Sequence, residues 1–169
     1  MKTQEITKDV NEALSGLITL LSRFDQEQIN VVPFEGSWTA GQLAQHMVKA
    51  NSGFADILKG PVKDTERKPD EVIPKIKGDF LNFNIKMKAP DILIPEAKNY
   101  DKNELVSGLK SIRENVVNAA ETLDLTKTCM AFELPVYGYL TRQEAVAFVT
   151  CHTLRHTHQL KNIYQKLIE

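Results

Sequence analysis

No apolar run in this chain approaches the roughly 18 residues that a membrane span needs. The N-terminal stretch Met-Lys-Thr-Gln-Glu-Ile-Thr-Lys-Asp also lacks the apolar core of a signal peptide, so a cytoplasmic location is expected. Two cysteines in 169 residues, Cys129 and Cys151, make no disulfide framework and read as free thiols in a reducing compartment. An excess of one charge is missing too: 21 basic residues nearly cancel 22 acidic ones, for a net charge of −1. Bulk electrostatics therefore points to neither a nucleic-acid nor an anionic-membrane partner. The chain shows no internal repeat, no low-complexity tract, no Gly-rich phosphate loop, no Ser-His-Asp ordering and no Cys-x-x-Cys. What remains is 42% apolar and 25% charged residues, the composition of one globular domain over residues 1–169. That length can bury a single continuous core without staples.

Histidine is scarce as well, yet three of the four fall within ten residues, Cys151 to Leu160, reading Cys-His-Thr-Leu-Arg-His-Thr-His-Gln-Leu. His152 and His156 are four apart, so on a helix they share one face a turn apart and can reach the same ion. His158, at about 100° per residue, points well away from both and reads as solvated or as a support behind the site. His46 lies far upstream, on another helical stretch.

Taken in order, Val10, Leu14, Leu17, Leu20 or Leu21, and Phe24 repeat at three-and-four spacing and predict a first helix over about 7–28 with Thr7 as N-cap. Gly16 within that stripe suggests the close approach of a neighbouring helix. After a break at Pro33 and Gly36, the second helix starts legibly. Thr39 with Gln42 makes a capping box, and Trp38 with Leu43 a hydrophobic staple. Its stripe is Leu43, Met47, Ala50, Phe54 and Ile57 or Leu58, with His46 beside it, and Gly60-Pro61 ends it.

Residues 61–100 hold Pro61, Pro69, Pro74, Pro90 and Pro95, and are too long to be wholly structureless in a compact domain. Phe80, Leu81, Phe83, Ile85 and Met87 are apolar enough to dock, as a short helix or as an extended segment. This region reads as a partly structured crossover covering one end of the core. Asp101 and Glu104 resemble a cap for a third helix over about 101–123, with Leu105, Leu109, Ile112, Val116, Ala119 or Ala120, and Leu123 inward. Cys129 to Leu140, with Pro135 and Gly138, reads as an extended loop. Thr141 and Glu144 form a second capping box for a fourth helix that continues without Gly or Pro to Ile168. The fold class is all-α.

The inward stripe of that last helix is Ala145, Phe148 or Val149, His152, His156, Gln159 or Leu160, Ile163 and Leu167, so the histidine pair interrupts a core-facing surface. A buried imidazole without a partner costs about 1–3 kcal/mol. A metal ion meets that demand directly, and so does a hydrogen bond within the core. The residues alone leave both readings open.

The layout resembles the DinB/YfiT-like superfamily. Trp38-Thr39-x-x-x-Leu43-x-x-His46 stands on the second helix and His152-x-x-x-His156 on the last, with Gln159 three residues further. Phe132-x-x-Pro135-x-x-Gly138-x-x-Thr141 precedes the last helix, and Arg155-His156-x-His158-Gln159 matches one branch especially. The resemblance covers essentially the whole chain. It implies a four-helix bundle with a long crossover between helices 2 and 3, and a divalent metal held by His46, His152 and His156. It also implies homodimers, although a bundle of this size can stand alone. Bundle cores build metal sites from facing helices, and three nitrogens leave a position for water or substrate. One ion per subunit is expected, zinc or nickel before iron or manganese, because imidazole suits several metals.

Other residues carry plainer expectations. Cys151 adjoins His152 but points about 100° away on a helix, so it reads as a small buried thiol and not half of a dyad. Arg155 is placed to bind an anion at the metal mouth or to lie on a solvated face. Gln159 is placed to orient a ligand or a bound water, and Trp38 to wall the pocket. No Asp or Glu falls clearly beside the three histidines, and the catalytic group is not identified. Two function classes follow. One is a metal-dependent enzyme acting on a small molecule, either a transferase using a low-molecular-weight thiol or a hydrolase. The other is a non-catalytic, stress-related bundle that binds a metal or small molecule.

Overall fold

Three of the helices open on side-chain caps that the sequence spells out. The computed structural model describes residues 2–169. Its helices are α1 (Thr3–Ser22), α2 (Ala40–Asn51), α3 (Phe54–Lys59), α4 (Ile73–Phe80), α5 (Lys102–Thr122) and α6 (Arg142–Ile168). At α2, Gln42 N donates to Thr39 Oγ1 at 3.0 Å while Thr39 N donates to Gln42 Oε1 at 2.9 Å. At α6, Glu144 N donates to Thr141 Oγ1 at 3.1 Å and Thr141 N to Glu144 Oε2 at 2.9 Å. Each such cap stabilises its helix by about 1 kcal/mol. Asp101 caps α5 by accepting from Glu104 N at 2.9 Å.

The long helices α1, α5 and α6, with the α2–α3 pair, form a four-helix bundle, and α1 packs most extensively on α6 and α5. Phe24 meets Tyr164 edge-on at 5.0 Å, where α1 and α6 run toward the same end. Arg113 Nη1 donates to Ser15 Oγ and Lys102 Nζ to Ser22 O, so α5 runs antiparallel to α1. The α2–α3 pair runs antiparallel to α6: His46 faces His152 and His156, while Leu58 O accepts from Arg142 Nε further along. The crossover from residue 61 to 100 is what lets α5 run in the same direction as the α2–α3 pair.

Several expectations shift. The first helix begins at Thr3, with Glu5 and Ile6 both donating to Lys2 O, and Thr7 is not its cap. Thr7 is buried inside α1, and its hydroxyl is satisfied by Thr3 O at 2.9 Å. That helix stops at Ser22 and not near 28. Asp25 and Gln28 exchange backbone-to-side-chain bonds of 2.9 and 2.7 Å, which turns the chain into a 3-10 segment at Gln28–Asn30. The second helix is divided at Ser52-Gly53, two weak helix formers, and α3 completes it. A Cβ at Gly16 would meet no other element within 4 Å; the close approach is at Gly41, where a Cβ would stand 3.0 Å from Ile29 O and 3.2 Å from Tyr100 Cβ.

Within the crossover, α4 gives Phe80 a buried place, whereas Leu81, Phe83, Ile85 and Met87 are not buried in the core, and Phe83 lies only against His158 on the surface of α6. They stay 36–49% exposed because this segment is held by its backbone: Arg155 donates to the carbonyls of Phe80, Asn82 and Ile85. The loop after α5 is also more ordered than an extended connection. Thr128–Cys129 pairs antiparallel with Val62–Lys63, Val62 opposite Cys129, in a two-residue ladder that ties the crossover to the start of α6.

Two apolar clusters fill the bundle. One gathers Val10, Leu14, Phe54, Leu58, Val116 and Val149; the other gathers Leu17, Leu21, Phe24, Leu43, Met47 and Leu160. The histidines lie between them.

Candidate metal centre

Helix α2 presents His46 and helix α6 presents His152 and His156, and their antiparallel packing turns the three rings toward one point. His152 Nε2 stands 3.1 Å from His156 Nε2 and 3.4 Å from His46 Nε2. Nitrogens bound about 2.0–2.1 Å from one ion stand about 3–3.4 Å from each other, so the donor spacing fits a single cation. These three residues are the only group of histidine, cysteine or carboxylate side chains with metal-site spacing among the described residues.

The outer nitrogens explain why two of the inner ones are free. His46 Nδ1 donates to Leu93 O at 2.9 Å, and His156 Nδ1 donates to Gln159 Oε1 at 3.0 Å. A carbonyl oxygen only accepts, so both rings carry their proton on Nδ1 and leave an Nε2 lone pair pointing inward. Leu93 belongs to a short 3-10 turn at Asp91–Leu93, so the crossover itself orients one imidazole. His152 Nδ1 is buried and has no partner.

Burial holds all three imidazoles neutral, the form that binds metal. Desolvation pushes His46 below its ordinary value, against the opposing pull of the Leu93 carbonyl, with Lys49 adding a smaller depression. His152 lies well below the usual imidazole range, chiefly through burial and then through its two histidine neighbours. Burial first, and His46 second, bring His156 down to about 3. The walls are aromatic. Phe148 stacks on His152 at 5.6 Å and Phe80 meets it edge-on at 5.8 Å, while Trp38 lies 5.2 Å from His46.

The remaining sequence-derived residues are distributed unevenly. Gln159 touches the cluster through His156, and Trp38 flanks it. Arg155 spends its guanidinium on the three crossover carbonyls. His158 stands outside the cluster, exposed and stacked on Phe83 at 4.2 Å. Cys151 is a buried thiol whose pKa is raised by desolvation, as is that of Cys129, so neither is a ready nucleophile. The Leu93 carbonyl and the Phe80 wall were not foreseen. A backbone acceptor has no side-chain signal, and Phe80 stood among five similar apolar residues.

Comparison with known proteins identifies the family and the fold. The family model of the DinB superfamily matches residues 10–160. The chain is 26% identical over 162 residues to YuaE of Bacillus subtilis (strain 168), an uncharacterized protein, with 93% of this chain and 96% of that one covered. Its fold is similar to that of YfiT from Bacillus subtilis, described as a probable metal-dependent hydrolase with an unusual four-helix bundle topology. There the TM-score is 0.63 at 12% identity, over 98% of this chain and 87% of that one. On the extent of the family match, with the three converging imidazoles at the seam of its bundle, the chain belongs to the DinB superfamily.

Proposed function

We propose that this protein is a metal-dependent enzyme whose single divalent ion is held by Nε2 of His46, His152 and His156, with hydrolysis of a small molecule as the leading reaction. The observation that carries the reading is the convergence of three neutral imidazole Nε2 atoms, two of them fixed as acceptors by their Nδ1 bonds, at 3.1 and 3.4 Å in a buried seam. Without a cation the seam holds at most one N–H, on His152 Nε2, for two inward lone pairs, whereas one cation takes all three nitrogens. The description of YfiT as a probable metal-dependent hydrolase supports the choice of reaction.

A divalent ion at this position lowers the pKa of a bound water or thiol toward neutrality and polarises an acceptor oxygen. The protein's own part is to hold two of the three donors, His46 and His156, through Leu93 O and Gln159, and to keep bulk water away with Phe80, Phe148 and Trp38. A second reading, transfer of a low-molecular-weight thiol to an electrophile, is favoured by the make-up of the cluster. It contains only histidines, and a thiol ionised by a metal needs no neighbouring carboxylate as base.

Elemental analysis of protein purified without a histidine tag is expected to give one divalent ion per chain, lost in His152→Ala. Unchanged stoichiometry in that variant would overturn the ligand assignment. Ester and amide panels, and thiol-plus-electrophile panels, run on loaded and chelated protein then separate the reactions. Turnover that needs metal alone supports hydrolysis, and turnover that needs metal and thiol supports transfer. Silence in both samples favours a bundle that binds metal without catalysis.

A further inference from the structure

The two apolar clusters change over at one height on every arm of the bundle. On α1 the change falls between Leu14 and Leu17, and on α5 between Leu109 and Ile112. Along α2 and α3 it falls between Met47 and Phe54, and along α6 between Cys151 and Leu160. The last two gaps are filled by polar residues: Asn51 on one side, and His152, Thr153 and His156 on the other. On these two arms a polar layer therefore separates the clusters, with Val48 packed against both.

That layer also holds every buried side-chain polar atom without a protein partner among the described residues: Asn51 Nδ2, Asn51 Oδ1, His152 Nδ1 and Thr153 Oγ1. Asn51 is 1% exposed and Thr153 0%, so bulk solvent does not serve them. Leaving such atoms unmade costs about 1–3 kcal/mol each, so their clustering in one layer asks for a shared solution. Asn51 lies between the two contacts that its arm makes with α6, His46 against His152 and His156, and Phe54 stacked on Phe148 at 5.6 Å. Thr153 lies about 100° around α6 from His152 and, like Val149 one turn before it, is fully buried.

The other two imidazoles each have a carbonyl acceptor on Nδ1, from Leu93 and from Gln159. His152 alone lacks one. We propose that Asn51 is the positioning residue for His152. Together with Thr153 it holds a buried water that accepts from His152 Nδ1–H and donates to Asn51 Oδ1 and Thr153 Oγ1. Such a water makes three hydrogen bonds, the usual number for a buried one, and satisfies three of the four atoms. Its consequence is tautomeric: with the proton kept on Nδ1, His152 Nε2 offers its lone pair to the same point as the other two rings. The inference rests on the proposed metal reading for its use, but not for its detection.

Asn51→Leu, nearly isosteric, and Thr153→Val test it by zinc titration and by 15N NMR of the imidazoles in metal-free protein. Wild type is expected to hold His152 as the Nδ1–H tautomer. In Asn51→Leu the Nε2–H tautomer becomes populated and zinc affinity falls about 10–100-fold, with Thr153→Val moving both the same way by less. Metal-free Asn51→Leu is expected to stay folded, because leucine keeps nearly the same volume and the substitution removes Asn51 Nδ2, which the proposed water leaves without a partner. Zinc affinity indistinguishable from wild type in both variants, or a His152 tautomer unchanged in both, would overturn the assignment. Wild-type protein that binds no zinc would instead overturn the metal reading, and the tautomer measurement would still decide the role of Asn51.

Discussion

Helix α6 carries two buried polar clusters about two turns apart, and they are built on opposite rules. The Glu144 carboxylate is fully buried and completely served. Arg67 donates to it at 2.5 and 2.8 Å, Val72 N at 3.0 Å and Thr141 N at 2.9 Å. Eight residues later His152 meets two Nε2 atoms that cannot donate to it and leaves its own Nδ1 without a partner. The first cluster is architecture: its bonds tie residues 67–72 of the crossover to the start of the last helix, and nothing is left over for a ligand. The second leaves His152 Nδ1 unserved and offers fewer N–H donors than inward lone pairs, which is why the proposed ion is placed there.

Metal should separate the two clusters most strongly. With zinc about a thousandfold above its dissociation constant, ligation adds about 4 kcal/mol to the stability. Chelation is therefore expected to lower the melting temperature by about 10 °C at this chain length. Calorimetry of wild type and His152→Ala checks this, and a shift of equal size in the variant would break the contrast. Glu144→Ala should cost about 3 kcal/mol by stranding a paired charge and deleting half a capping box. Because Glu144 touches none of the imidazoles, zinc stoichiometry should stay as in wild type; a loss of zinc from a folded Glu144→Ala would merge the two sites.

Acid should act on the histidine layer first. In chelated protein the folded His156 titrates at about 3, while the unfolded chain takes up its proton near 6.5. Stability from this group is thus complete above about pH 6.5 and declines as pH falls toward the folded value, by about 1–2 kcal/mol at pH 5. Urea melts between pH 7 and 5 measure the slope, and a flat profile would contradict the neutral cluster. Smallest is the effect of Arg155→Ala, which releases the carbonyls of Phe80, Asn82 and Ile85. Hydrogen exchange should quicken over residues 80–94 with a global cost of about 1 kcal/mol.

Much of this was legible in the chain itself because it is local. Capping boxes at Thr39 and Thr141 depend on residues three apart, and the apolar stripes on a period of 3.6, so helix type and most starts could be read directly. The start of α1 was missed because Thr7 offers a cap-like side chain that the fold uses inside the helix. The division of α2 from α3 and the two-residue ladder of Val62 with Cys129 carried too little local signal to be seen. The ladder depends on a partner 67 positions away in the sequence.

By itself the sequence determined that two histidines share one helical face, that a third lies beside the core stripe of another helix, and that the chain is helical. Spacing along a helix fixes direction, and that information is carried within a few residues. Only the tertiary structure decided that the three rings meet, that Leu93 and Gln159 hold two of them, that Arg155 serves the crossover, and that Asn51 shares a polar layer with the third. Those facts depend on how antiparallel helices register across the bundle, and register is set by the packing of the whole core.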